Sequence, residues 1–336
     1  MVNEVKLPQD ETVHSNQAIE WWYFNGFLFD ENERSKKPRH AFMTCLFKAD
    51  KDKVNLRFLK VPFKNVYFSH SLIYDLKEKT VEKEILPFVI PSEDSFKKEQ
   101  MFINYFFPLR RNYINYEILR NDDHLTIKTA DLDLKAIEIK KPLLENDTGY
   151  INLGEKSTYY YTYPNLAIKG TLKDKKVHGF AWHDHQWSEK GFMKDSWLWF
   201  SIQLEDNTQI VCFDYKGKKM ATISYPNNKQ ETVDVTFTPQ KKTYKIRSSG
   251  MTYELSWIIK IKDFVIKTKP IIEDCEMTFG FLNYWEGPLE VTCKGKKGYA
   301  FMEHLAKQEL KTNLLSKLKA EQTMMVNSLK DYFSKF

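Results

Sequence analysis

Residues 196–206 read SWLWFSIQLED. In an extended chain alternate side chains share a face, so Leu198, Phe200, Ile202 and Leu204 form one wholly apolar face. Trp197, Trp199, Ser201 and Gln203 form the other, where indoles mix with small polar groups. The first face suits a dry core. The second resembles the lining of a ligand pocket, aromatic surface around a few placed polar atoms. Similar β-branched and aromatic runs lie on either side, among them EWWYFNGFLF from Glu20, HAFMTCLFKA from His40, NLAIKGTLK from Asn165, QIVCFDYKG from Gln209 and KDFVIKTKP from Lys262. Short strands divided by polar or glycine-containing turns, without interleaved long helices, predict an all-β protein of antiparallel sheets closed into sandwiches or barrels.

Chemistry gathers in HGFAWHDHQWS, His178 to Ser188, which holds three of the chain's eight histidines. Read as a strand, it sends His183, His185 and Trp187 one way and Trp182, Asp184 and Gln186 the other. His183 and His185, with His178 nearby, supply part of a two- or three-histidine metal set. No further Glu or His stands at a motif-like offset, so no metal is expected. Asp184 reads either as a reactive carboxyl or as a cap for a turn or a Trp N–H. In QIVCFDYKG, Ile210, Cys212 and Asp214 share a face. Asp214 there is either hung in an apolar space, with its charged form disfavoured, or is a solvated strand-end residue.

The bulk composition removes several functions. Aromatic residues make up 15% of 336 residues, which favours strands and large apolar pockets. The net charge of +6 is spread over scattered lysines, so no nucleic-acid partner is expected. Cys45, Cys212, Cys275 and Cys293 show no CxxC spacing and predict free thiols in a reducing compartment. The N-terminus lacks the apolar core of a signal peptide, and no run of roughly 18 apolar residues occurs, so a cytoplasmic protein without a membrane-spanning segment is expected. GxSxG, GxGxxG, Walker and HExxH motifs are missing, and no cofactor is expected. Within 306–336, Leu310, Leu314, Leu318, Met325, Leu329 and Phe333 recur at helical intervals. They predict an amphipathic helix that packs on a barrel or pairs two copies into a homodimer, with a membrane-surface helix as the alternative.

Five stretches carry a family pattern in order: LPQDETVHSNQAIEWWYFNGFL from Leu7, HGFAWHDHQWS, SWLWFSIQLEDN, SSGMTYELSWII from Ser248, and LNYWEGPLEVTCKGKKGYAFMEH from Leu282. Together they resemble the carotenoid 1,2-hydratase-like, or AttH-like, family, which also includes fungal kievitone hydratase and lipocalin-like Diels–Alderases. The resemblance implies two packed lipocalin-like barrels, 1–218 and 219–305, followed by the helix. It implies a site for a hydrophobic isoprenoid- or polyketide-like molecule in the larger barrel or between the two.

Its hydratase members imply an aspartate that protonates an alkene, here Asp214. Aromatic rings steady the cation, here Trp187, Trp197 and Trp199, while His185 directs water and Asp184 fixes its surroundings. Glu20 and His183 join the binding set. A pericyclic cyclase is the alternative, using Gln203 and Tyr23 as hydrogen-bonding groups, and a non-catalytic carrier is another. His183 stands where the family usually has an apolar or small residue, and Cys212 stands where an aromatic is expected.

Overall fold

The computed structural model describes residues 3–31, 37–54, 63–97, 101–107, 116–192, 195–240, 243–246, 249–279 and 282–305. The expected terminal helix, and any pairing of copies through it, lies outside the described residues. Those residues are almost entirely antiparallel β, with two single-turn 3-10 segments at Gln9–Glu11 and Glu145–Asp147. No helix among them is long and apolar enough to cross a membrane. All four cysteines are buried and free of disulfides.

The first sheet closes on itself. From Ser157–Leu172 it runs through Lys175–Ser188, Ile19–Asp30, His40–Asp50, Asn65–Asp75 and Thr80–Pro91. It continues through Phe102–Phe106, Tyr116–Arg120, Leu125–Lys128 and Leu132–Glu138, and the last strand pairs back onto the first. Period-two alternation sorts the residues. Trp22, Phe24, Leu28, Phe42 and Leu46 fill the barrel, whereas Tyr23, Phe27, Ala41, Met43 and Cys45 belong to a separate apolar cluster on its outer face. Among its inward-facing residues, Trp22, Phe24, Phe42 and Tyr161 are completely buried. Gly26 is one of the glycines, with Gly170 and Gly179, at which neighbouring strands leave no room for a side chain. A Cβ at Gly26 would lie 2.6 Å from the Phe42 ring and 2.7 Å from the Phe180 carbonyl oxygen.

The second sheet begins at Trp197, so the change of sheet falls between Ser188 and Trp197, ahead of the expected division at residue 218. The reason is pairing: Trp197–Leu204 forms its backbone ladders with Gln209–Tyr215 and Lys296–Leu305. Its path extends from Gln230–Val233 to Thr236–Pro239 and remains open among the described strands, a half-barrel where a second closed barrel was expected. Leu198, Phe200, Ile202 and Leu204 line the core of this sheet, where Phe200 stacks on Phe237. Trp199, Ser201 and Gln203 face the first barrel. There they bond to Tyr160, to Asn25, and to the carbonyls of Pro164 and Ala181.

Candidate active site between the sheets

Alternation divides the His178–Ser188 stretch between two environments. His183, His185 and Trp187 enter the barrel, while Trp182 and Asp184 face the second sheet. His178 is exposed and stacks on Phe29 outside the barrel, so the three histidines do not converge.

Inside the barrel, Glu20 is the centre of a buried polar set. Its Oε1 accepts from His14 Nδ1 at 2.8 Å and His185 Nε2 at 3.0 Å, and its Oε2 accepts from Lys48 Nζ at 3.1 Å. The His14 backbone N–H donates to both oxygens. Burial opposes the charge on Glu20, but these donors outweigh it and hold the carboxyl down at about 2. His14, Glu20 and His185 together place three metal-competent atoms within reach of one another. The carboxylate, however, already meets four donors, which matches its roughly four lone-pair positions. The set is complete as a hydrogen-bonded network. His183 Nδ1 donates to the Tyr23 carbonyl at 3.0 Å and its ring stacks on Phe24, while its buried Nε2 meets no hydrogen-bond partner among the described residues.

Between the sheets the arrangement differs. On the barrel's outer face Trp21, Phe47 and Phe68 are direct cross-strand partners, with Tyr23, Cys45 and His70 in the next row. The first row stays partly exposed and the second is buried. Opposite them the second sheet presents Trp197, Trp199, Tyr284, Glu286 and Glu303. Tyr23 Oη donates to Glu286 Oε1 at 2.7 Å, and Tyr284 Oη lies 3.0 Å from His70 Nδ1. Trp199 meets the Tyr23 ring edge-on at 5.4 Å. Tyr23 of one sheet and Trp199 of the other therefore meet beside the Glu286 carboxyl, whose cross-strand partner is Glu303. Trp21, Phe47, Phe68, Trp197 and Glu303 are each partly exposed.

The electrostatics favour neutral acids. Burial, then the neighbouring charge of Glu303, pushes the Glu286 carboxyl far above the ordinary range, against the Tyr23 hydrogen bond. Burial raises Glu303 to about 7, opposed by its hydrogen bond with Trp197 and reinforced by Asp184. Asp184, only 3% exposed, is likewise raised to about 7 by burial. Its Oδ1 accepts from Thr162 Oγ1 at 2.5 Å and Trp182 Nε1 at 2.7 Å. Tyr160 also bonds to it, and Tyr160 in turn accepts the Trp199 indole N–H at 2.9 Å. Asp184 thus sets the angle of Trp199 against Tyr23.

The structure gathers Asp184, Tyr23, Trp197 and Trp199 at this interface, and His185, His183, Glu20 and Trp187 inside the barrel. Asp214 joins neither. It lies on the Leu198 face, away from the barrel, and its carboxylate accepts the Gly217 N–H at 2.7 Å with Lys219 3.7 Å away. Lys216 and Gly217 both have positive φ, as a two-residue hairpin turn requires. Asp214 is a cap for that turn and does not hang in an apolar space. Gln203 spends its amide on two carbonyls across the sheets, a structural staple where a ligand contact was expected. Glu286 and Glu303 are not among the residues that the sequence motifs point to. The available signal was a charged residue in mid-strand, in YWEGPL and in FMEHL.

Residues 2–305 match the model of the AttH-like family. Solved structures share the fold. The crystal structure of an AttH homologue from Nitrosomonas europaea covers 91% of this chain and 98% of its own, at TM-score 0.73 and 20% identity. Kievitone hydratase from Nectria haematococca covers 91% of this chain and 94% of its own, at TM-score 0.65 and 16% identity. CghA with Sch210972 covers 88% of this chain and 90% of its own, at TM-score 0.55 and 10% identity. No curated protein matches the chain. With a single family model spanning nearly every described residue of both sheets, the chain belongs to the AttH-like family.

Proposed function

We propose that the protein hydrates an apolar, unsaturated small molecule of isoprenoid or polyketide type, held between the two sheets. The observation that carries this reading is the cross-strand pair Glu286 and Glu303, both raised by burial, with Tyr23 and Trp199 from the two sheets meeting beside Glu286. Adding water to an isolated alkene needs a neutral acid at working pH, walls that protect a cation, and a placed water. Glu303, which is partly exposed, donates its proton to one alkene carbon and, as the carboxylate, takes one back from the water that bonds to the cationic carbon, while Glu286 supports it from the buried side with Tyr23 on its Oε1. The faces of Trp21, Phe47 and Trp197 stabilise the carbocation, each by ~1–2 kcal/mol where water is excluded. Asp184 acts through Tyr160 and Trp199 as a positioning residue.

The likeness to kievitone hydratase supports the hydratase reading at the level of fold. A cyclase is the second reading, because a neutral carboxyl can equally donate a hydrogen bond to a substrate carbonyl. Incubation with a panel of prenylated phenols and linear isoprenoids in isotopically labelled water separates the readings. Hydration adds one labelled water to the product. Cyclisation leaves the mass unchanged, and a carrier returns the compound intact.

A further inference from the structure

The chain ahead of the first strand crosses the end of the closed barrel and is held at three places. At its start the Val5 N–H donates to the Thr148 carbonyl at 2.8 Å, and Val5, Leu7 and Val13 pack on the barrel's internal cluster. Midway, Glu11 is 2% exposed and accepts from Tyr163 Oη and from Arg120 Nε, the latter at 3.0 Å. Near its end His14 lies between two carboxylates. Its Nδ1 is 2.8 Å from Glu20 Oε1, its Nε2 is 3.3 Å from Asp10 Oδ1, and its ring stacks on Trp187 at 3.8 Å.

Acceptors on both sides decide the charge of that imidazole. An ionised carboxylate only accepts, and a neutral imidazole has one N–H and one lone pair. Meeting both partners therefore requires the imidazolium. The groups that face His14 are Asp10 on its own segment, Glu20 on Ile19–Asp30, Lys48 on His40–Asp50 and His185 on Lys175–Ser188. Lys48 Nζ donates to the His14 carbonyl at 2.5 Å, and the His185 ring centre is 5.7 Å away. With His14 charged, the charges of Asp10, His14, Glu20 and Lys48 cancel. Without the proton the set is net negative, and a ring lone pair points at a carboxylate.

We propose that residues 5–18 form a proton-latched strap over the barrel, closed while His14 bridges Asp10 and Glu20 as an imidazolium and loosened when it becomes neutral. Release uncovers the interior that holds Trp22, His183 and His185. Burial works against the charged ring, but the hydrogen bonds from Asp10 and Glu20 prevail and raise its pKa above the ordinary 6.5. A raised histidine contributes stability that is complete below the unfolded value and disappears as pH climbs through the folded one. The latch is therefore closed in mild acid and opens toward alkaline pH. This inference is independent of the proposed hydratase activity.

Hydrogen exchange of the intact protein, corrected for the intrinsic pH dependence of exchange, tests it at about pH 6 and about pH 9, either side of an imidazole held above its ordinary value. Protection across residues 5–18 should fall several-fold at the higher pH in the wild type and stay level in His14→Gln. Asp10→Asn leaves a neutral imidazole fully partnered, so it too should lose the pH response. Equal wild-type protection at both pH values, or the same fall in His14→Gln, overturns the latch. So does an NMR titration that places His14 at or below the ordinary imidazole range.

Discussion

Glu286 and Glu303 are direct cross-strand partners on Leu282–Cys293 and Lys296–Leu305, and Tyr23 of the other sheet donates its hydroxyl proton to the first of them. Two carboxyls paired across neighbouring strands, one of them fully buried, cannot both ionise cheaply, so the pair keeps a proton near neutrality. On any alkene found to be hydrated, the rate should fall as pH rises through about 7, the value to which burial lifts Glu303. Glu303→Gln should lower the rate about 10²–10⁴-fold, the usual weight of a general acid. A pH–rate profile of both proteins checks this, and a profile that is flat from acid to alkaline pH contradicts it.

Asp184 makes stability depend on pH in the opposite sense to an ordinary salt-bridged aspartate. Its folded value is raised to about 7 from 3.8, so between those values the folded protein binds a proton that the unfolded chain does not. Its contribution to stability should decline as pH rises across that window. Asp184→Asn keeps the acceptor for Trp182 and Thr162 but cannot ionise, so it should flatten the decline. Urea unfolding at about pH 5 and about pH 8 measures the difference.

Glu20 behaves in the reverse direction. Its carboxyl is lowered to about 2 from 4.5, so its stabilising effect is complete above the unfolded value and is lost as pH falls toward the folded one. Lys48, 1% exposed, depends on it for charge balance. Glu20→Gln should cost about 3–5 kcal/mol, because it leaves a buried ammonium unpaired. Glu20→Gln with Lys48→Met should recover most of that loss in denaturant unfolding.

Gly26 tests the packing of the closed barrel. Its missing Cβ makes room for the Phe42 ring and the Phe180 carbonyl. Gly26→Ala should destabilise by about 1–3 kcal/mol through overpacking. Gly26→Ala combined with Phe42→Leu should regain part of it, since the ring is the movable obstacle.

Much of this was legible in the residues themselves. Period-two alternation assigned the two faces of 182–187 and of 197–204 as they occur, because a strand's side-chain direction is a local property. It also put Asp214 on the Ile210 face. What stands behind a face is not local. Whether Leu198 looks onto a ligand or onto the half-barrel's own core, and whether Asp214 beside it is enclosed or caps a turn, depends on pairing with strands up to a hundred residues away. Likewise, nothing within 219–305 says whether that sheet closes. Glu286 and Glu303 become a pair only when their two strands align in register, which turns two separate glutamates into neighbours.

The most direct measurement is infrared difference spectroscopy of carboxyl protonation in the free protein, comparing wild type with Glu303→Gln at about pH 6, below the raised value of the pair. A protonated-carboxyl band that disappears near neutral pH in the wild type, and weakens in the variant, is the predicted result. A wild-type spectrum in which these carboxyls are already ionised at that pH would remove the proton donor on which the proposed chemistry depends.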